Sequence, residues 1–593
     1  MSPSNDLVRV RAYTSPTLVL LAYDWPAGGD HDDFLGFAIR RTPGHGKSGK
    51  PDFLWNKIGF EPVKKGDPPK PSDESPIQRF AWWDSGIETA DRGKTFIYEV
   101  IPVRGTGPDD LALQHAAAAK IDVRIPRQLE DGVGTYFNRA VVSSQSFSGE
   151  FGKNPAGKKL EKAMDWLANG MQDAIPGFLE PASEVEAAIY HLTDRRWVMP
   201  ALEKFKKRGG RGDLVYYFKP RDHASQAAAD AIRGAKFAVH PRTKANIMHD
   251  KFIVRRRSGK PEAVLAGSAN FTPEAITAQA NVLHTFASPG LAALYAKREE
   301  LLRTDPTLES IAPAGTWSKS ISVGSAKVRV FFSPEKGRRS IDAVVNAVEG
   351  AKSSVIFCLF SPTDAPLLNA LLAAGDAGKI LYGLLNSITD PTKKKKTEDP
   401  TKAAKNATPA TQVQVTVFNR SRKDRKVVAY DYFRPGSTPA GFLPEFSTID
   451  TSAWSTNAPP KKGKKGGGAP PAVHIHHKFL VIDADTDSPT IYTGSANMSN
   501  NSLHNNDENL LEIKKAPALA GAYYAEFMRL YGHYRARALW NMDHATAPGK
   551  AAVAPKKPKK APEALVLKRT RKAWAGRAYE PGTPEYASRT RLA

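Results

Sequence analysis

Short runs in which apolar and polar residues alternate fill the first part of the chain. Leu7 to Tyr13 alternates strictly, and Thr17 to Trp25 is a second, more apolar run. Similar runs follow at 34–41, 78–83, 95–103 and 120–125. A period of two is typical of strands with one buried face, and turn-forming residues separate the runs. We therefore predict an all-β sandwich over residues 1–126.

Beyond this region the pattern changes to alternating helical and strand-like periods, and the same order occurs twice. The first copy has its predicted elements at 160–171, 187–194, 199–208 and 214–218, and the second at 341–349, 354–360, 366–374 and 380–385. One predicted strand in each copy ends at, or is shortly followed by, an aspartate. These residues, Asp194 and Asp364, are 170 positions apart. Repetition of an α/β order predicts two similar halves, 127–312 and 313–545.

Each half ends in the same pair of short motifs. A His-x-Lys triplet is followed by Gly-Ser-x-Asn, and the histidine precedes the glycine by 18 residues in both halves. The residues are His249, Lys251, Ser268 and Asn270 in the first half and His476, Lys478, Ser495 and Asn497 in the second. Either motif alone arises by chance in a chain of this length, but both, twice, at one spacing, do not.

The chemistry of these residue types points to an anion. Residues two apart on a strand face the same side, so each histidine shares a surface with its lysine. If the halves pack about a pseudo-twofold axis, two imidazoles, two ammonium groups and two amides surround one anionic group. This arrangement predicts a phosphoryl-transfer site.

These motifs resemble those of the phospholipase D superfamily, in which H-x-K-x4-D and G-S-x-N occur once in each half. The second half matches fully and includes Asp483, whereas Arg256 replaces the aspartate in the first. A family carboxylate eleven residues after the asparagine corresponds to Glu508 in the second half and to Asn281 in the first. The resemblance implies a pseudo-twofold α/β pair and a phosphodiesterase that uses no metal and no cofactor.

The unequal residues at 281 and 508 suggest unequal roles for the histidines. A carboxylate beside an imidazole favours its protonated form, whereas an amide orients the ring without charging it. We therefore predict that Glu508 supports His476 as general acid and that Asn281 or Gln279 holds His249 as nucleophile. The tyrosyl-DNA phosphodiesterase branch, which also lacks the first aspartate, uses its first histidine as nucleophile.

The remaining motif residues have predicted supporting roles. Charge on the phosphoryl oxygens is stabilised by Lys251, Lys478, Asn270 and Asn497, and the site is supported by Ser268, Asn281, Asp483 and Ser495.

The net charge of +24 is concentrated in two segments. Residues 386–472, a Lys-rich insert in the second half, hold 16 basic and 7 acidic residues, and residues 546–593 hold 12 and 3. The latter segment is rich in Ala and Pro, so we predict a disordered basic tail.

Basic clusters interleaved with aromatic residues favour a nucleic acid as the substrate. In the insert, Lys393 to Lys396 and Arg420 to Lys426 precede Tyr430, Tyr432 and Phe433. An anionic phospholipid membrane is the alternative partner, and hydrolysis of phospholipid head groups the alternative function. A second alternative is a catalytically dead polyanion-binding protein, because the first-half aspartate is missing. Both motifs lie in one chain, so a monomer suffices.

Three further features complete the sequence-based prediction. The placement of Trp25 and Tyr98 in the N-terminal strands resembles a fibronectin type III domain, whose partner is unknown. The single cysteine, Cys358, lies in an apolar run and excludes an intramolecular disulfide. The N-terminus has no basic segment before its first apolar run, which predicts a cytoplasmic protein without a Sec signal and leaves export by another route open.

Overall fold

The structure is a computed structural model, and it separates into two compact units. It describes residues 6–46, 49–62, 67–140, 145–152, 155–220, 223–386, 415–419, 428–430, 454, 475–544 and 566–593. The N-terminal unit comprises Met1–Arg127, Gly521–Arg529 and Leu539–Ala593. The second, which we name the duplicated unit, comprises Gln128–Ala520 and Leu530–Ala538. No helix among the described residues is long and apolar enough to cross a membrane.

The described residues of the N-terminal unit contain two larger antiparallel sheets and a separate two-stranded pair, in agreement with the all-β prediction for residues 1–126. One sheet has the order β1-β2-β7 and the other β10-β8-β3-β4, with β9 beside β8. The strands are β1 Arg9–Ser15, β2 Leu18–Asp24, β3 Phe34–Thr42, β4 Asp52–Phe53, β5 Trp55–Asn56, β6 Lys70–Pro71, β7 Ala81–Asp84, β8 Thr95–Arg104, β9 Ala112–Leu113 and β10 Ala119–Arg124. The closer resemblance to fibronectin type III stays a prediction.

The prediction of a disordered tail is wrong for residues 566–593. This segment forms helices at Arg571–Ala575 and Pro584–Leu592. The indole Nε1 of Trp574 donates to the carbonyl oxygen of Phe34 at 2.8 Å. Arg589, 6% exposed, pairs with Asp24, 1% exposed. Buried contacts of this kind make the segment part of the N-terminal fold.

The first half of the duplicated unit is built on an eight-stranded sheet. Its order is β11-β12-β19-β18-β17-β13-β14-β15, with β13, β14 and β15 parallel to one another. The strands are β11 Leu129–Glu130, β12 Val133–Phe137, β13 Glu184–Ile189, β14 Arg211–Tyr217, β15 Ala238–Arg242, β16 Ile247–Met248, β17 Lys251–Arg257, β18 Lys260–Gly267 and β19 Val282–Phe286. The helices are Gln145–Phe151, Gly157–Ala168, Ala174–Leu179, Val198–Lys207, His223–Gly234, Pro273–Ile276, Pro289–Arg303 and Leu308–Ile311.

The second half repeats this sheet, with the order β20-β21-β28-β27-β26-β22-β23-β24-β25. Its strands are β20 Ile321–Val323, β21 Ala326–Ser333, β22 Ser354–Phe360, β23 Ile380–Asn386, β24 Val415–Asn419, β25 Val428–Tyr430, β26 Lys478–Ile482, β27 Thr490–Gly494 and β28 Asn506–Lys514. The helices are Arg339–Glu349, Ala365–Asp376 and Asn500–His504. The helix Pro517–His544 follows them in sequence, and its residues are divided between the two units as given above. The repeated helix–strand–helix–strand order predicted for each half is confirmed.

One short strand of the first half pairs with the sheet of the second half. Strand β16 belongs to the first half in sequence but pairs in parallel with β28, the last strand of the second half. In return, Ala280 of the first half forms a parallel bridge to Ile475 of the second. The segments that lead into both histidines are therefore held by the opposite half.

Replacing Arg589 should destabilise the N-terminal unit. Burial raises the pKa of Asp24, and the Arg589 guanidinium opposes that rise. Arg589→Ala leaves a carboxylate that is buried without its partner, which typically costs about 3–5 kcal/mol. We expect a loss of that size in the opening free energy of β1 and β2, measured by hydrogen exchange on the full chain. The exposed Arg591 supplies the matched control, Arg591→Ala. Equal protection in both variants would contradict the prediction.

Candidate active site

A β-hairpin in each half explains the spacing of the two motifs. Strand β17 begins at Lys251 and pairs antiparallel with β18, which ends at Gly267. Strands β26 and β27 repeat this hairpin between Lys478 and Gly494. A Cβ atom on Gly267 would lie 2.3 Å from the carbonyl oxygen of Val282. Only glycine therefore lets the motif approach the next strand.

The two lysines are buried and turn back toward their histidines. Lys251 is 1% exposed and donates from Nζ to the carbonyl oxygen of His249 at 2.6 Å. Lys478 is 0% exposed and donates to the carbonyl oxygen of His476 at 2.7 Å. Each lysine thus fixes the backbone turn that carries its histidine. The histidines themselves are 5% exposed.

Backbone hydrogen bonds attach each histidine to the other half. The amide of His249 donates to the carbonyl oxygen of Asp507 at 2.8 Å, and the amide of His476 donates to that of Ala280 at 3.0 Å. The two contacts are equivalent under the pseudo-twofold arrangement. They bring the sequence-predicted histidines into one site.

The side-chain partners of the histidines are also exchanged, which corrects the sequence-based pairing. His249 Nδ1 lies 3.2 Å from Glu508 Oε2 of the second half. His476 Nδ1 lies 2.9 Å from Asn281 Oδ1 of the first half. The predicted pairs, Glu508 with His476 and Asn281 with His249, are therefore wrong. Oε1 of Gln279, the alternative partner of His249, has no hydrogen-bond partner among the described residues. The physical reason for the exchange is that Ala280 and Asp507, which directly precede residues 281 and 508, pair with the segment leading into the histidine of the opposite half.

Hydrogen bonds from neighbouring side chains hold both partners in place. Ser502 Oγ and Asn506 Nδ2 each donate to Glu508 Oε1 at 2.9 Å. Ser268 Oγ donates to Asn281 Oδ1 at 2.9 Å. The motif serine of the second half, Ser495, instead accepts from the amide of Asn509 at 3.0 Å through Oγ. The motif serines thus support the site from behind.

The electrostatics of the site favour an anionic ligand. Burial, followed by the charges of Lys251 and Lys478, lowers the pKa of both histidines well below its ordinary value. Because the charges of both lysines lower the pKa of each histidine, the four side chains lie close together. Burial also lowers the pKa of each lysine, and Lys251 adds to the effect on Lys478. A bound anion would offset the cost of these buried cations.

Glu508 is the carboxylate inside this cluster. Burial raises its pKa, while the hydrogen bonds from Asn506 and Ser502 and the charges of both lysines oppose the rise. When both lysines are protonated and Glu508 is ionised, these three side chains together carry one net positive charge. A phosphodiester, with one negative charge, balances that excess.

The motif aspartate has a structural position. Asp483 accepts backbone N–H donors from Lys352 and Ser353 at 2.9 and 2.7 Å, at the start of β22. In the first half Arg256 takes the equivalent position and its Nε lies 2.9 Å from Glu186 Oε1. The loss of the first aspartate therefore removes no group from beside the histidines.

The motif asparagines stand next to the loops that end the central strands. After Asn270, the carbonyl oxygen of Phe271 accepts hydrogen bonds from the backbone amides of Thr193 and Asp194. After Asn497, the carbonyl oxygen of Met498 accepts hydrogen bonds from the backbone amides of Thr363 and Asp364. Both asparagine Oδ1 atoms are buried, and neither has a hydrogen-bond partner among the described residues. The structure therefore places equivalent amide groups on the two sides.

Two aromatic residues of the site were missed by the sequence analysis. The Tyr190 ring lies 5.0 Å from the His249 ring, and Lys251 Nζ lies 5.0 Å from its centre. The Phe360 ring lies 5.1 Å from the His476 ring, and Lys478 Nζ lies 5.1 Å from its centre. Each aromatic residue precedes its repeated aspartate, 194 or 364, by four positions, a signal that could have identified them.

A buried ionic network behind the site was also missed. Arg242 Nε lies 2.8 Å from Asp507 Oδ2, and Arg298 Nη2 lies 3.1 Å from Asp507 Oδ1. Asn509 Nδ2 donates to Asp250 Oδ1 at 2.7 Å. Asp250 and Asp507 adjoin His249 and Glu508, so the network fixes this pair from both sides. The described residues contain no group of three or more His, Cys, Asp or Glu side chains placed to hold a metal ion.

Comparisons with known proteins identify the second half. Residues 344–531 match the family model described as cardiolipin synthase, PLD-like domain. This range contains His476, Lys478, Asn497 and Glu508. No curated protein sequence matches the chain.

Several solved structures are similar to the chain. Polyphosphate kinase from Porphyromonas gingivalis is 13% identical over 59% of this chain, with a TM-score of 0.34, and the match spans only 42% of that protein. Nuc from Salmonella typhimurium, a phospholipase D family member, is 24% identical, with a TM-score of 0.20 over 22% of this chain and 85% of Nuc. Yeast tyrosyl-DNA phosphodiesterase is 10% identical, with a TM-score of 0.27 over 56% of this chain and 82% of that protein.

The family match and the repeated motifs agree. Residues 344–531 carry one His-x-Lys and Gly-Ser-x-Asn pair within a phospholipase D-like domain, and the first half repeats the pair on the same β-hairpin. The second half is therefore a phospholipase D-like domain, and the first half repeats its motifs and its hairpin.

Proposed function

We propose that this protein hydrolyses phosphodiesters through a covalent phosphohistidine on His249. The observation that carries the proposal is the crossed arrangement of His249 beside Glu508 and His476 beside Asn281, with both motif lysines buried among them. Phospholipase D-like proteins are phosphodiesterases that generally need no metal, and we extend that property to this chain.

In the first step His249 forms a bond to phosphorus. Its Nε2 lone pair attacks in line, the bond from phosphorus to the leaving oxygen breaks, and that oxygen takes a proton from His476. Lys251, Lys478, Asn270 and Asn497 stabilise the charge on the non-bridging oxygens. The products of this step are the released alcohol and a phosphohistidine.

The second step restores the enzyme. Water gives a proton to His476, which is now neutral, and its oxygen attacks phosphorus. The bond from phosphorus to His249 Nε2 breaks, and its electron pair returns to the ring. A phosphomonoester leaves, and His476 again holds the proton needed for the next turnover.

Glu508 supports His249 as the nucleophile through the charge that develops on the histidine ring during the reaction. In the resting enzyme, a carboxylate beside His249 favours the protonated ring, which by itself would suit the role of acid. However, the nucleophile gains positive charge when its bond to phosphorus forms, whereas the acid loses charge in the same step. A carboxylate near Nδ1 of His249 therefore stabilises the intermediate, and the uncharged Asn281 leaves the proton of His476 free to transfer.

Nucleic acid is the substrate class that we propose. Besides the basic clusters of the insert, which lie almost wholly outside the described residues, a cavity of about 780 Å³ opens on the first half. In the part of the chain that the structure describes, its lining includes Arg195, Lys206, Lys207 and Lys236 and one carboxylate, that of Glu203. A cluster of cations with little compensating charge suits a phosphate backbone.

Phospholipid is the second candidate substrate, because the matching family model is named for a cardiolipin synthase. The same two steps apply to a lipid diester, with the head group or the lipid as leaving alcohol. Hydrolysis of vesicles in place of nucleic acid would favour this candidate.

Mass spectrometry should find the phosphoryl adduct on His249. In His476→Ala, a diester with a p-nitrophenolate leaving group needs little acid assistance, but water lacks its base, so the adduct should accumulate. With an alkoxide leaving group the same variant should be slower by about 10²–10⁴-fold. His249→Ala should form no adduct with either substrate.

The isosteric variant Glu508→Gln tests the crossed pairing in the same assay. It should slow adduct formation, because the carboxylate that stabilises the charged ring is lost. An adduct on His476 would reverse the two roles.

Substrate class can be decided by parallel incubation in EDTA. We expect wild-type protein to hydrolyse single-stranded DNA and bis-p-nitrophenyl phosphate, and His249→Ala to hydrolyse neither. The panel also contains duplex DNA, RNA and phosphatidylcholine vesicles. Turnover of vesicles alone would contradict the nucleic-acid proposal. Binding without turnover would indicate a dead site, and loss of activity in EDTA would contradict the metal-free chemistry.

The proposed roles predict a distinct pH dependence. Burial holds the pKa of His476 well below its ordinary value, so the protonated acid becomes scarcer in the free enzyme as pH rises above that pKa. For a dinucleotide with an alkoxide leaving group, kcat/KM should fall toward pH 8, by up to tenfold per pH unit. A p-nitrophenyl ester should show a flatter profile. Identical profiles for both esters would show that His476 is not the acid.

A further inference from the structure

The rim of the active site differs between the two halves, although their catalytic motifs match. Around His249, three half-buried rings lie side by side: Tyr190, His191 and Tyr217. The Tyr190 ring is 3.8 Å from that of His191 and 5.2 Å from that of Tyr217. We name these three residues the aromatic rim.

Strand positions explain why these rings meet. Tyr190 and His191 directly follow β13, and Tyr217 ends the parallel neighbour β14. Equivalent ends of parallel strands lie at the same edge of a sheet, so the three rings lie together beside His249. The Tyr190 and His249 rings pack edge to face, with their centroids 5.0 Å apart, which makes the rim continuous with the proposed nucleophile.

The second half offers a different surface at the same positions. Phe360 is the counterpart of Tyr190 by its place beside His476, and the next residue, Ser361, replaces His191. Strand β23 pairs with β22 as β14 pairs with β13, and its last residue, Asn386, replaces Tyr217. Asn386 is 2% exposed. Three rings in one half thus correspond to one ring in the other.

We propose that the aromatic rim is a stacking subsite for the planar ring of a nucleoside that stays attached to phosphorus. The proposal rests on the function proposed above. Aromatic side chains bind bases through their faces regardless of sequence, so the subsite would accept any base. In the in-line first step the leaving group departs toward His476, on the second half. A ring on the first-half rim therefore belongs to the group that remains on the phosphohistidine.

The test compares two substrates that share the p-nitrophenolate leaving group. One retains thymidine, as thymidine 5′-(p-nitrophenyl phosphate), and the other retains only a methyl group. Tyr217→Leu fills the space of the ring without offering an aromatic face. We expect the ratio of kcat/KM between the nucleoside and methyl esters to fall about tenfold or more, mainly through KM. Tyr217→Phe should restore the ratio.

Ser361→Ala, on the rim of the second half, is the matched control and should leave the ratio unchanged. An equal loss on both esters in Tyr217→Leu would overturn the proposal, because it would indicate a structural role. Failure of Tyr217→Phe to restore the ratio would overturn it as well.

The subsite can also be tested apart from catalysis. Fluorescence anisotropy with a labelled thymidine tetranucleotide measures binding whether or not either ester is hydrolysed. Weaker binding by Tyr217→Leu, restored in Tyr217→Phe, would support the subsite even if the proposed hydrolysis failed. Equal binding by wild type and Tyr217→Leu would exclude it.

Discussion

The exchange of segments between the two halves is the constraint on which the active site depends. The amide of His249 is held by Asp507, and that of His476 by Ala280, so neither histidine is positioned by its own half alone. The side-chain partners are exchanged in the same way. Because every contact has its counterpart, one packing of the halves positions both histidines at once. Both motif sets thereby meet within one chain.

This arrangement buries charged side chains, and partners of opposite charge balance them to different extents behind and inside the site. Behind the site, Asp507 faces the guanidinium groups of Arg242 and Arg298, so these charges are paired. Inside the site, Lys251 and Lys478 have Glu508 as the carboxylate in their cluster. Removing buried charge from water is unfavourable unless a partner replaces the solvent. In the function proposed above, a bound phosphodiester anion supplies the second negative charge.

The fold and the motif positions could be predicted because they follow from local patterns. The 18-residue spacing reflects a hairpin whose second strand ends at Gly267 or Gly494, and Asp194 and Asp364 mark equivalent strand-to-helix turns. The partner of each histidine could not be predicted, because residues 281 and 508 lie at the same distance from the motif asparagines within their own halves. The exchange is a tertiary event without a local signal. Likewise, composition suggested a disordered tail, whereas the buried contacts of Trp574 and Arg589 bind its last part to distant strands.

Some active-site residues occur in both halves, whereas others differ between the halves and make the site asymmetric. The histidines, lysines, asparagines and the ring beside each histidine occur twice, because a phosphoryl group presents similar oxygens to both sides. Where the halves differ, they differ in charge and in surface: a carboxylate or an amide behind the histidine, and three rings or one at the rim. A symmetric site would bind a diester equally well in either orientation. In the mechanism proposed above, the unequal partners, Glu508 and Asn281, select which histidine forms the bond to phosphorus, and the unequal rims select which ester group faces it.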